Sequence, residues 1–280
     1  MRNQSGRKTI ILLSAKRCGS TALFKSFQKH PNVGCCHIDS KNNNWEPNFW
    51  NLAARAINGD HEPFENRFSS SHPFLTFPSE YSIQNVFKLW NQILDNLGPV
   101  VFDKSPQYLG NKDAINLLNE YIKAGNDVRI ICQIRDAKDA INSQFNHWSQ
   151  IVHQDTPKKR EQHWLFKYDH LERFRCNSKI DMLFQRYEDF TYLPRQYFKK
   201  ICSFCDIKFF PECVDHIKPV HIGRYYSTTD KNILLWKFSK KFQRHLEYYG
   251  YDSRTVFEKS KILYAKNWIK WILNSSIKFE

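Results

Sequence analysis

Between Thr9 and Phe27 the chain reads TIILLSAKRCGSTALFKSF. Ile10, Ile11, Leu12 and Leu13 form an unbroken apolar run, the pattern of a parallel strand buried on both faces. After a small basic turn, Leu23, Phe24 and Phe27 recur at helical spacing. A strand that passes directly into a helix belongs to a parallel sheet, and its connecting loop points free amides and the positive end of the helix at whatever binds there. Such a loop suits a phosphate or another tetrahedral anion. Lys16 and Arg17 add full charges, Gly19 lets the backbone approach the anion, and Ser20 and Thr21 offer hydroxyls.

Ser14–Thr21 reads S-x-x-x-x-G-S-T, close to the phosphate loop G-x-x-x-x-G-K-[ST] of ATPases and kinases. The second glycine and the last hydroxyl are kept, but Ser20 stands in place of the lysine that reaches the β- and γ-phosphates. With its basic groups earlier in the loop, the chain suits a ligand with a shorter anionic chain. The bland alternative is an ordinary strand-turn-helix corner with surface lysines.

Val33–Cys36 reads as a second strand leading to His37 and Asp39. Asp39 also fits a turn or N-cap position before Ser40. Residues 40 to 80 have little periodicity and are expected to be a long irregular segment that serves acceptor binding. Ile83, Val86, Phe87, Trp90, Ile93, Leu94 and Leu97 trace a helical stripe that Gly98-Pro99 ends. Val100–Phe102 is a strand delivering Asp103-Lys104-Ser105-Pro106 at its C-terminal end, the edge where open α/β sheets bind ligands; Lys104 therefore arrives with Arg17. A helix over Lys112–Ala124 and a strand over Val128–Ile134 lead to Arg135, with Ser143 eight residues on along a helix. A guanidinium fork and a hydroxyl two turns away can converge on one phosphate.

Trp148–Phe174 reads as one or two helices interrupted at Pro157, Ile180–Phe184 as a strand, and the residues after Pro194 as a helix. Cys202-x2-Cys205 followed by Cys213-x2-His216 has spacing that could serve zinc, although Ile201, Cys202 and Cys205 equally fit an apolar helix face. A last helix is expected over Asn232–Tyr248. The basic aromatic tail, residues 253 to 280, can pack on the domain or lie on an anionic membrane surface.

A chain of 280 residues can bury a substantial core, and no Pro/Gly/Ser-rich linker divides it, so one domain over residues 1–280 is expected. A hydrophobic content of 41% and an aromatic content of 15% exclude a disordered class. The sequence holds 42 Lys and Arg against 28 Asp and Glu, a net charge of +14 that attracts polyanions. No zinc-finger, RRM or homeodomain pattern accompanies it, so nucleic acid is not the expected partner. No apolar run approaches a membrane span and Met1–Lys8 lacks a signal core, which gives a cytoplasmic expectation with peripheral membrane contact through the tail. The eight cysteines suit reduced thiols.

Five motifs together resemble the family of sulfotransferases that use 3′-phosphoadenosine-5′-phosphosulfate (PAPS), in that family's order and over about residues 8–252. Ser14–Leu23 is similar to its 5′-phosphosulfate loop, with Lys16 where proline is usual and Cys18 where serine is usual. QIRDAKDAINSQFNHW resembles its 3′-phosphate segment, with Ala137 in place of proline. DKSPQYL is similar to E-K-[ST]-P-x-Y-L, RYEDF to R-Y-E-D-L, and His221–Tyr225 to the I-G-R-W segment of glycan-type and bacterial members.

The resemblance implies a P-loop-like α/β domain, with a central parallel sheet and helices on both faces, and sulfuryl transfer to a hydroxyl or amine. It implies that Lys16, Arg17, Cys18, Gly19, Ser20 and Thr21 hold the phosphosulfate and that Arg135 and Ser143 hold the 3′-phosphate. Tyr187 would lie near the adenine and Gly223 and Arg224 over the nucleotide, with adenosine 3′,5′-bisphosphate as product and no metal expected. Arg17 and Lys104 would stabilise charge on the transferring group, and Asp39, or else His37, would take the acceptor proton. Glycan, peptide tyrosine and small alcohol are all open as acceptors, and the IGRY and DKSP segments favour a glycan or glycolipid. The rival readings are a P-loop kinase or hydrolase, which the missing lysine opposes, and a polyanion-binding protein with the same fold but no chemistry.

Overall fold

The computed structural model describes residues 6–37, 46–69, 71–148, 156–178, 180–220, 222–228 and 230–255. They belong to two compact units, Met1–Arg135 with Phe166–Val220, and Asp136–Leu165 with His221–Glu280.

In chain order the first unit runs β1 (Lys8–Ser14), α1 (Ser20–Gln28), β2 (Gly34–Cys35), α2 (Phe49–Ile57), α3 (Glu62–Ser69), α4 (Ile83–Leu97), β3 (Val100–Lys104), α5 (Lys112–Lys123) and β4 (Asp127–Ile134). The second unit holds α6 (Ala137–Trp148) and the start of α7 (Pro157–Ser178). The chain then returns to the first unit with the rest of α7, β5 (Met182–Arg186), α8 (Tyr187–Tyr192) and α9 (Pro194–Phe204), and ends in the second with α10 (Lys231–Leu234) and α11 (Lys240–Tyr248).

Among the described residues five strands form one parallel sheet, in the order β2-β3-β1-β4-β5. β1 is central and fully buried, as its apolar run requires. Its side chains alternate between faces. Ile10 and Leu12 pack with Leu23, Phe24 and Phe27 of α1 and with Phe198 and Ile201 of α9. On the other face Thr9 Oγ1 accepts a hydrogen bond of 3.0 Å from Trp90 Nε1 of α4. Helices therefore cover both faces of this parallel sheet, as the sequence implies.

Several boundaries differ from the sequence reading. Within residues 40 to 80 lie α2 and α3, each too short for a periodic signal to stand out. They are held by a tertiary aromatic cluster in which Phe49 meets Trp50, Phe64, Phe68 and Trp90 at centroid distances of 4.8–5.5 Å. Pro157 starts α7, the position where its missing N–H costs nothing. β5 begins at Met182, set by pairing with Ile130 of β4.

In the second unit the helix expected over Asn232–Tyr248 is broken. Trp236 Nε1 donates to Glu161 Oε2 at 2.8 Å, and Ser239 accepts from the Phe242 amide at 3.1 Å to cap a new helix. Burying the Trp236 and Phe238 rings is worth more here than continuing the backbone ladder. Among the described residues no helix is long and apolar enough to cross a membrane.

If the Phe49 cluster secures α2 and α3, Phe49→Ala costs about 3–5 kcal/mol in urea unfolding. Ile83→Ala, on a side chain 39% exposed, costs about 1 kcal/mol or less.

Candidate active site

The parallel register carries the sequence-predicted groups of the first unit to one sheet edge. Leu12 is level with Lys104, Ser14 with Gln133, and Ile134 with Arg186, so the segments after β1, β3, β4 and β5 emerge together. β2 ends level with Phe102 and delivers His37 two residues later. A cavity of about 560 Å³ lined by Lys8, Thr9, Val100, Tyr121 and Asp127 lies at the strands' N-terminal ends, away from these groups.

The loop after β1 is held by β4. Gln133 Nε2 donates to the Cys18 carbonyl at 2.6 Å and Arg135 Nη1 to the Arg17 carbonyl at 2.8 Å. In a trans peptide the N–H points opposite the carbonyl, so the Cys18 and Gly19 amides face away from these side chains. Arg17 has φ 67 and Gly19 φ 81, both left-handed. For Arg17 that conformation costs about 1 kcal/mol or more. Gly19 is required for a second reason: a Cβ there would overlap the Tyr187 ring. Tyr187 in turn has the Arg135 guanidinium 5.0 Å from its ring centre.

α1 then starts at Ser20 with no acidic residue in its first turn, so its positive end is uncompensated within the helix. Arg17 is exposed; partial burial, with Arg135 beside it, lowers its pKa. Two guanidiniums held near each other beside a helix N-terminus are chemically suited to an anion carrying more than one charge.

Of the remaining loop residues, Lys16 is half-buried, Ser20 buried and Thr21 exposed. Cys18 is fully buried, its Sγ 3.8 Å from Tyr168 Oη and its thiol pushed up to about 12 by burial. It can serve a ligand through its main chain and not through its sulfur. His37 is half-buried, and its Nδ1 lies 2.9 Å from the Cys35 carbonyl. A carbonyl can only accept, so Nδ1 carries the proton and Nε2 is the basic nitrogen of the neutral ring. Asp39 lies outside the described residues.

Lys104 closes β3 with its side chain only 3% exposed, its Nζ 3.4 Å from Glu46 Oε1. Burial lowers its pKa, and Glu46 opposes that effect. Asp103 beside it is wholly buried; desolvation pushes its carboxyl up to about 7, although Tyr108 Oη donates to Oδ2 at 2.8 Å.

The second unit contains the other predicted residues. Ser143 is half-buried on α6, and Gly223 and Arg224 are exposed at a left-handed turn. That turn is fixed by Asp139, whose two carboxylate oxygens accept from the Gly223 amide at 2.6 Å and the Tyr225 amide at 2.7 Å.

Sequence reasoning missed Gln133, Glu46 and Asp139. Only Gln133 had a signal, its two-residue spacing from Arg135 on one strand face. Cys202, Cys205 and Cys213 are buried in an apolar cluster with Ile201 and Val214, and among the described residues no group of His, Cys, Asp or Glu is gathered to hold a metal.

The model of a sulfotransferase family matches residues 9–212, spanning the loop, Lys104, Arg135 and Tyr187. The chain belongs to the sulfotransferase family. Among solved structures it is similar to the sulfotransferase domain of the curacin biosynthetic pathway, with 16% identity, TM-score 0.58, and 88% of this chain and 98% of that one covered. It is also similar to the sulfotransferase domain of the olefin synthase of Synechococcus PCC 7002, with 16% identity, TM-score 0.60, and coverages of 90% and 98%. At such identities the likeness is one of fold. No curated protein matches the sequence.

The Asp103 carboxyl gives this sulfotransferase a pH dependence of definite sign. Its folded pKa, about 7, lies above the ordinary carboxylate value of about 4, so between these the native state holds a proton the unfolded chain has lost. Asp103 therefore makes stability fall as pH rises through that window. Asp103→Asn, measured by urea unfolding from pH 4 to 8, is expected to gain stability relative to the native chain across the window and to stay level above it.

Proposed function

We propose that this sulfotransferase takes its sulfuryl group from PAPS and transfers it to a hydroxyl or amine, on a glycan or glycolipid acceptor. The observation that carries the reading is the β4 grip on the loop after β1, which fixes the direction of the loop's amides and sets Arg17 near Arg135, itself beside Tyr187. That arrangement fits a nucleotide bearing anionic groups at both ends of its ribose, the feature that distinguishes PAPS from ATP.

When bound, PAPS supplies the activated sulfuryl group. Lys16, Arg17 and the main chain from Cys18 to Thr21, with the Ser20 and Thr21 hydroxyls, hold the 5′-phosphosulfate. Arg135 and Ser143 hold the 3′-phosphate, Tyr187 lies by the adenine, and Gly223 and Arg224 lie over the nucleotide. Arg17 and Lys104 would stabilise charge on the bridging oxygen and the sulfuryl oxygens. Asp39, or else His37 through Nε2, removes the acceptor proton. Single-domain organisation over residues 1–280, cytoplasmic location and peripheral membrane contact through the tail belong to the same proposal.

Calorimetry tests the nucleotide assignment. Adenosine 3′,5′-bisphosphate should bind much more tightly than AMP, ADP or ATP, and Arg135→Ala should weaken only the bisphosphate, by about 1.5–3 kcal/mol. Equal affinity for AMP and the bisphosphate would exclude the assignment.

Turnover with labelled PAPS across acceptor panels tests the chemistry. Asp39→Asn should lower it by about two to four orders of magnitude while leaving nucleotide affinity unchanged. If turnover is unchanged in Asp39→Asn and drops in His37→Ala, the imidazole is the base.

A further inference from the structure

Lys104 is a buried cation, and the segment that neutralises it comes from a part of the chain with no motif or periodicity that marks a charged role. Glu46 lies before α2 with its side chain 20% exposed, and its Oε1 meets Lys104 Nζ at 3.4 Å. It is not a stray surface pair. The Glu46 carbonyl accepts from Arg67 Nη2 of α3 at 2.7 Å. Two residues on, Asn48 takes a left-handed conformation with φ 59, and its Oδ1 accepts from Ser105 Oγ at 3.0 Å while its Nδ2 donates to Gln107 Oε1 at 3.4 Å. Residues 46–48 are thus fastened to α3 on one side and to Lys104, Ser105 and Gln107 on the other.

The charged groups acting on Lys104 are Glu46 and Asp103. Burial pushes the Asp103 carboxyl up to about 7, so it is partly neutral near neutral pH, with Tyr108 donating to it and the buried Cys36 thiol beside it. Glu46 is therefore the stronger counter-ion. On the remaining side Lys104 Nζ sits 5.7 Å from the Phe24 ring centre of α1, an apolar neighbour that solvates an ammonium only weakly.

We propose that Glu46 is the positioning residue for Lys104: it keeps the buried amine charged and holds it at the end of β3 until an anion arrives to share it. The inference rests on the reading of Lys104 as a group that meets the transferring sulfuryl oxygens. Glu46 acts through the lysine and takes no proton from the acceptor. Because one of its faces is open to solvent, its carboxylate can release Lys104 at small cost when a stronger anion binds, whereas a fully buried partner would hold it back.

The full chain, labelled with 13C at lysine Cε, tests this without turnover. The Lys104 resonance is the one missing from Lys104→Arg. Its titration midpoint should fall by about one pH unit or more in Glu46→Gln and stay near the native value in Glu46→Asp. An unchanged midpoint in Glu46→Gln overturns the inference, and so does a lowered one in Glu46→Asp. If Glu46→Gln does not fold, the inference stands on Glu46→Asp together with a titration at 1 M salt, where a partly exposed pair weakens and the midpoint should fall; a midpoint indifferent to salt then overturns it. The alkaline limb of kcat/KM should move with the NMR midpoint. A Lys104→Met chain with full turnover would instead remove the catalytic reading of Lys104, a result separate from whether Glu46 sets its charge.

Discussion

The candidate site depends on the grip of two side chains of one strand register on two consecutive carbonyls. Gln133 and Arg135 take the Cys18 and Arg17 oxygens, and the planarity of the peptide unit then sends the intervening amides the other way. A loop bound only by its own turn hydrogen bonds would be free to reorient. Here its direction is inherited from β4, itself pinned by seven residue pairs to β1 and by five to β5. The left-handed Arg17 and the contact of Gly19 with Tyr187 follow from the same constraint, since the chain must reverse within a few residues and still begin α1 at Ser20.

The balance of burial against charge is unusual around this edge. Arg17 sits near Arg135, Lys104 is almost wholly buried, and Asp103 holds its proton up to about neutral pH. Each is a cost to the fold, because desolvation disfavours charged groups and like charges repel. The offset comes from the aromatic cores on the two faces of the sheet: Phe27 with Phe102 and Phe198 on one, and the Phe49, Trp50 and Trp90 cluster on the other. A binding anion would relieve the repulsion between the two guanidiniums, so the strain tolerated in the folded chain favours ligand binding.

Much of this site could be read from sequence because its signals are local. The apolar run of β1, the glycine, the basic pair and the α1 spacing occupy one stretch, and the ends of β3, β4 and β5 are marked by apolar runs that stop at charged residues. The helices at Ile83–Leu97 and Lys112–Lys123 agree with their stripes because each is three turns or more. The failures share a cause. α2 and α3 are two-turn helices whose register is set by aromatic partners elsewhere in the chain, and the break before Ser239 follows from Glu161, about 75 residues earlier, binding Trp236.

The sequence by itself determined the parallel α/β class, the basic loop between β1 and α1 and the strand ends that bring Arg17, Lys104, Arg135 and Tyr187 to one edge, because strand period, helix period and chain direction are properties of neighbouring residues. Only the tertiary structure decided which polar groups control those residues. Gln133 on the loop carbonyls, Glu46 on Lys104 and Asp139 on the Gly223 turn join positions separated by 115, 58 and 84 residues. Contacts of that span depend on where the sheet register and the aromatic cores bring the backbone, and no local pattern encodes them.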